Sequence, residues 1–273
     1  MWFAFYCRAF KRCFNEHNLV IWFMNRNTSL RQSIVWHKSP ASDMSVASFT
    51  DDGTLAISGL HEILSPQEKD ESATLSDPTE LRHYIARRCF QRLFLHELLS
   101  TNIAPDKLDI IHQRDVRPYC VNAPEFNLSF SSSGTTAIAC ASASHAVGID
   151  IERYRNVENV IALSKRYFTP KEAQALSNLS PSEQSQAFLY YWTAKEAGLK
   201  AIGEGIVFGL NTFCLKDKGN FSYEIHGPQE IAQDWHLQYL EIIPQHLVAL
   251  VKMINVEKLD SGLKRSDRSY TVF

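Results

Sequence analysis

The chain has 273 residues, 45% hydrophobic and 21% charged, the balance of a globular protein long enough for one large domain or two smaller ones. A net charge of −2 speaks against a general nucleic-acid binder, and no apolar run approaches the roughly 20 residues that span a bilayer, so neither nucleic acid nor membrane is expected as a partner. Six scattered cysteines without a C-x-x-C pair exclude a zinc knuckle and a thioredoxin-like motif, and they leave a reducing cytoplasm as the expected location.

Residues 1–43 differ from the rest. The opening "MWFAFYCRAFKRCFNEHNLVIWFMNRN" is aromatic and basic but has no convincing period, and its longest apolar piece is short for a signal-peptide core of about 7–15 residues. The segment ends in polar "HKSPASDM", and the sequence then reads as a domain start at Met44. Residues 1–43 are therefore expected to be an extension outside the core fold.

Three helix starts share one chemistry: Ser65-Pro66-Gln67-Glu68, Thr169-Pro170-Lys171-Glu172 and Ser180-Pro181-Ser182-Glu183. Each places a hydroxyl at the N-cap, proline at the first helical position and glutamate at N3, the capping box. Between the first two, residues 80–99 ("ELRHYIARRCFQRLFLHELL") carry an apolar stripe near helical spacing, with Arg88 and Arg92 on one face. Short strands are expected at 126–129 and 135–143, joined by a turn at "SSSG". Further helices are expected over 157–167 and 182–201, the second closing on Gly203. Strands at 212–215, 221–225, 237–242 and 246–252 follow, and a polar tail runs over 257–273. Helices and antiparallel strands mix without βαβ alternation, which favours an α+β fold.

Two stretches carry chemistry. In "GIDIE" read as a strand, Ile149 and Ile151 share one face, while Asp150 and Glu152 crowd together on the other, where like charges need a positive object between them. In "FLYYWTAKEAGLKAIGEGI" read as a helix, Glu196 and Lys200 are i, i+4, with Lys195 about 100° round the axis. Alone, the second stretch would be an exposed Glu–Lys pair. Taken together, Asp150, Glu152 and Glu196 offer three oxygen ligands with no Cys or His, a donor set suited to Mg²⁺ (with Mn²⁺ as a substitute), and lysines beside them would meet a phosphate.

The pairing "VGIDIE … YYWTAKEAGLKAIGEGI" resembles the signature of the surfactin-synthetase-activating type of 4'-phosphopantetheinyl transferases, G-[IV]-D-x-E followed by W-x-x-K-E-[AS]-x-x-K. "RPYCVNAPEFNLSFSSSG", "SKRYFTPKEAQAL" and the arginine-bearing helix are similar to other segments of that family, so the likeness covers about residues 64–252. It implies a pseudo-dimer of two similar α+β halves, residues 44–145 and 146–256, with coenzyme A in the cleft between them. The implied reaction moves 4'-phosphopantetheine from coenzyme A to a serine of an acyl or peptidyl carrier protein and releases 3',5'-ADP. The internal two-fold implies a working monomer.

By the same likeness, Asp150, Glu152 and Glu196 hold the metal, Glu196 doubles as the candidate base with Lys200 beside the reacting phosphate, and Lys195 and Lys200 meet the phosphates. Arg88 meets the coenzyme's 3'-phosphate, Arg117 fills a basic slot beside the nucleotide, and Ser129 matches the serine of F-N-[IL]-S. The family histidine after that serine is Phe130 here, which implies a weaker hold on the 3'-phosphate or its replacement by Ser129, Ser131 or an arginine. Val116 stands where a glycine is usual. Two other readings use the same residues: a coenzyme A- and carrier-binding homologue with impaired catalysis, and another Mg-dependent phosphoester enzyme.

Overall fold

The computed structural model describes residues 33–37, 44–112, 116–203, 209–217, 223–226 and 235–253. Residues 1–32 and 38–43 of the expected extension, and the tail at 257–273, lie outside the described residues.

The strands are β1 (Ile34–His37), β2 (Met44–Thr50), β3 (Ile110–Ile111), β4 (Tyr119–Cys120), β5 (Asn127–Ser133), β6 (Thr136–Ser142), β7 (Ala146–Arg153), β8 (Cys214–Asp217), β9 (Tyr223–His226), β10 (Trp235–Leu240) and β11 (His246–Met253). The helices are α1 (Ile57–Leu60), α2 (Pro66–Ala73), α3 (Pro78–Leu99), α4 (Val160–Tyr167), α5 (Pro170–Ser177) and α6 (Pro181–Ile202). One antiparallel sheet has the order β1-β2-β6-β5 and another β10-β11-β7, so the architecture is α+β as expected.

Alternation along the strands decides the layers. In β2 and β6, Ala47, Phe49, Ala137, Ala139 and Ala141 face α3 and pack with Ile85, Cys89, Phe90, Leu93 and Phe94. Their other faces present Met44, Val46, Ile138 and Cys140 to Val147, Ile149 and Ile151 of β7 and to Val248 and Leu250 of β11. The far side of the second sheet, with Ala146, Ala249 and Val251, packs on α6. The order through the molecule is helix, sheet, sheet, helix, and the two isoleucines of "GIDIE" sit in the middle seam.

Capping boxes form at Ser65 and Thr169; at Ser180 the Glu183 carboxylate accepts from both the N–H and the hydroxyl of the cap, and α6 ends on Gly203 in the left-handed conformation with φ 86°. Two expectations are corrected. Ile34–His37, assigned to the extension, is an edge strand paired with β2; Ile34 is buried, and Trp36 stacks on Phe94 and donates from Nε1 to Glu97 at 3.1 Å. The boundary at Met44 therefore cuts into the sheet. The "SSSG" turn is narrower than expected: Ser131, Ser132 and Ser133 belong to β5, and the chain reverses at Gly134, φ 59°. Serine is common in turns because its hydroxyl bonds nearby backbone. Here alternate hydroxyls face the next sheet instead: Ser129 Oγ accepts from Ile149 N–H at 3.0 Å and Ser133 Oγ from Arg153 N–H at 3.0 Å.

A matching brace appears on each long helix. Both α3 and α6 are 22 residues long, start at proline and carry a buried cation at the fifteenth position, Arg92 and Lys195. Arg92 pairs with the capping-box Glu68 of α2 at 2.5 Å and donates to the carbonyls of Pro105 and Leu108. Lys195 pairs with the capping-box Glu172 of α5 at 3.0 Å and donates to the carbonyls of Leu210 and Phe213.

Candidate active site between strand β7 and helix α6

The site exists because β7 and α6 touch at backbone distance. A Cβ on Gly148 would stand 1.9 Å from the carbonyl oxygen of Ala197 and 2.5 Å from the nitrogen of Ala201. The absent side chain at Gly148, with the small Ala197 and Ala201 opposite, lets the helix settle onto the strand. Asp150 follows Gly148 on the same face, and Glu196 and Lys200 project from the helix turns that touch it.

Lys200 Nζ donates to Asp150 Oδ1 at 2.7 Å and to the Ile149 carbonyl at 3.3 Å. The Ser131 hydroxyl, from the first sheet, donates to the same Asp150 oxygen at 2.7 Å, so the acid is held from helix α6 and from the first sheet. Glu152, half-buried, pairs with Arg155 at 2.6 Å. Glu196 Oε1 is buried with no hydrogen-bond partner. Burial, then the negative charges of Asp150 and Glu152, push the Glu196 carboxyl up to about 7 against the opposing pull of Lys200. The three acids expected from the sequence thus interact electrostatically. Yet among the described residues no group of three or more His, Cys, Asp or Glu side chains is close enough to hold an ion. Basic side chains bind two of the acids instead: Lys200 takes Asp150 and Arg155 takes Glu152.

The donor set passes a chemical test for a hard divalent cation. It is all oxygen, it holds excess negative charge, and one buried carboxylate oxygen lacks a partner, a costly state unless a cation or a proton meets it.

The other expected residues divide. Lys195 is corrected: its ammonium is fully buried and saturated by Glu172 and two carbonyls, and it lies over the Phe213 ring at 4.6 Å. One residue along a helix is a 100° rotation, which turns Lys195 into the core while Glu196 faces β7. Ser129 is corrected too: its buried hydroxyl is spent on the Ile149 N–H, and Ser131, two residues on, is the serine that reaches an acid. Arg117 donates to Asn127 Oδ1 at 2.7 Å and to the Ala201 carbonyl, clasping the end of α6 to the first sheet. Arg88 lines a cavity of about 220 Å³ with Tyr84, Arg87, Gln91, Phe130 and Ser131. Its nearest carboxylates, Glu71 and Glu68, are 3.8 and 3.9 Å away. Phe130 fills one wall and meets Phe94 edge-on at 6.2 Å. Ser131 belongs to both places, since it lines this cavity and bonds Asp150.

Sequence reasoning assigns Arg155 no role and gives Glu172 none beyond its helix cap. Arg155 is three residues from Glu152 with no periodic pattern to mark it. Glu172 was read only as a helix cap, although one carboxylate can cap and pair at once.

The sequence profile of the 4'-phosphopantetheinyl transferase superfamily matches residues 146–251, the stretch from β7 through β11 that contains all three acids and Lys200. A Synechocystis protein provisionally named as a 4'-phosphopantetheinyl transferase is 30% identical over 185 residues, 66% of this chain and 73% of its own. A 4'-phosphopantetheinyl transferase of Bacillus subtilis is 35% identical over 111 residues, 40% of this chain and 48% of its own. The transferase Sfp of Bacillus subtilis strain 168 is 29% identical over 143 residues, 50% and 62% respectively. The chain thus spans about half to three-quarters of the length of these relatives. The likeness to these relatives and to the family profile defines a transferase enzyme. The chain belongs to the 4'-phosphopantetheinyl transferase superfamily.

Proposed function

We propose that the chain transfers 4'-phosphopantetheine from coenzyme A to a serine of an acyl or peptidyl carrier protein, releasing 3',5'-ADP, in a Mg²⁺-dependent reaction. The observation that carries this reading is Glu196 Oε1, buried and unpartnered beside the Asp150–Lys200 pair. Asp150, Glu152 and Glu196 would hold the ion; when bound it supplies positive charge to the diphosphate oxygens of coenzyme A. Lys200 then exchanges its carboxylate partner for a phosphate oxygen. The carrier serine oxygen bonds to the β-phosphorus, the phosphorus–oxygen bond to the 3',5'-ADP portion breaks, and that portion leaves with the electron pair. Glu196 is the candidate base for the serine proton. The cavity at Arg88, Arg87 and Phe130 would take a second anionic part of the coenzyme.

Coenzyme A would lie between the half that opens with β1 and ends at residue 145 and the half over 146–256, read as a pseudo-dimer that works as a monomer in the cytoplasm. The matched braces on α3 and α6 support the duplication, because two cations at one helical position both meet a capping-box glutamate.

The test is mass spectrometry of apo carrier proteins of fatty-acid, polyketide and peptide type after incubation with the enzyme, coenzyme A and Mg²⁺. A carrier heavier by one phosphopantetheine group supports the reading, provided a chelator abolishes the gain. Hydrolysed phosphoester, or coenzyme binding without product, sinks it.

A further inference from the structure

Among the described residues, Arg155 is the one bound to an acid of the site that neither the expected metal role nor the expected phosphate role absorbs. Its Nη1 donates to Glu152 Oε2 at 2.6 Å and to the Arg153 carbonyl at 3.4 Å. Its side chain is 51% exposed, whereas that of Glu152 is 19% exposed. A short, charge-assisted contact therefore anchors Glu152 to a residue that reaches in from the rim. Asp150 is differently placed: it is buried, and its partners Lys200 and Ser131 come from α6 and β5, within the packed layers.

Two observations read together give Arg155 a role. No trio of acids among the described residues is close enough to share an ion, although Asp150 and Glu152 alternate on one face of β7 and Glu196 faces that strand with a buried, unpartnered oxygen. Of the two acids on β7, Glu152 is the more exposed, and its carboxylate is paired with Arg155.

We infer that Arg155 is a displaceable counter-ion: it competes with a divalent cation for Glu152 and so sets the affinity of the site for that cation. This rests on the metal reading above. Arg155 acts through Glu152, which makes it a positioning residue rather than a catalytic one. Metal binding exchanges one partner of Glu152 for another and leaves the guanidinium free at the rim, with no bond made or broken in Arg155 itself.

The competition has a definite sign. Removing a competitor tightens binding of the ion, whereas removing a group that merely holds Glu152 in a productive orientation would loosen it. A half-exposed ion pair contributes up to about 1 kcal/mol, so its removal is expected to tighten metal binding about fivefold.

The experiment is titration of the full chain with Mn²⁺ alone, free ion followed by electron paramagnetic resonance, with no coenzyme or carrier present. Arg155→Ala is expected to lower the Mn²⁺ dissociation constant about fivefold. Arg155→Lys, which keeps a cation within reach of Glu152, is expected to restore the wild-type value. Arg153→Ala removes a neighbouring exposed cation and controls for a general gain in negative potential; it is expected to change the constant less than twofold. Unchanged or weaker binding in Arg155→Ala overturns the inference and leaves the metal reading intact, as does an equal gain in Arg153→Ala. Failure of the wild type and Arg155→Ala alike to bind Mn²⁺ overturns the metal reading and this inference with it. Binding by Arg155→Ala where the wild type shows none supports both.

Discussion

Lys195 and Glu196 are adjacent in sequence and opposite in role. Lys195 supplies the positive half of a fully buried ion pair, and burial lowers its pKa while Glu172 opposes that shift. Lys195→Met should cost about 3–5 kcal/mol in denaturant unfolding, because Glu172 would be left charged and buried. Adding Glu172→Gln should recover part of that loss. A stable Lys195→Met enzyme with an unchanged unfolding midpoint and a raised KM for coenzyme A would return Lys195 to the phosphate site. Glu196 carries the opposite sign of linkage. Its folded pKa of about 7 lies above the ordinary 4.5, so its charge destabilises the metal-free fold as pH rises between those values and by a constant amount above them. In a chelator at about pH 8, Glu196→Gln should therefore be more stable than wild type by on the order of 3 kcal/mol, with the gain gone at about pH 4. Equal stability of the two proteins at both pH values would show that Glu196 sits in water.

At the scale of elements, the packing of α6 on β7 sets the site. Gly148→Ala should lower stability by about 3 kcal/mol and reduce activity, since the new methyl group meets main-chain atoms that cannot rotate away. An unaltered thermal midpoint would mean the helix can retreat at little cost. Much of this level was legible in the sequence. Proline and capping-box residues marked the helix starts, and the two motifs named Asp150, Glu152, Glu196 and Lys200. What escaped was long-range. Nothing in the local order of "KE" says which of two neighbours enters the core, and the three serines after Phe130 match turn composition as well as they match an edge strand. The partner that decides each case, Glu172 for Lys195 and β7 for the serines, is distant in the chain or belongs to another sheet.

At the scale of the molecule, the first sheet begins before the point where composition changes. A chain starting at Ser33 is expected to be more stable than one starting at Met44, by about 2 kcal/mol or more in thermal unfolding. The shorter chain loses the pairing of β1 with β2 and the stacking of Trp36 on Phe94. Matching midpoints would put the boundary back at Met44. Residues 34–37 were hard to assign because they follow an aromatic, aperiodic stretch, and only their pairing with β2 distinguishes them from it.

The contact at Gly148 also restricts how such an enzyme can diversify. Where main chain meets main chain, the spacing between strand and helix works as a ruler that side-chain substitution can break but not reset. New substrate preferences would have to be written at the margin, in residues such as Arg155 or Phe130, while the measured gap at the centre stays the same.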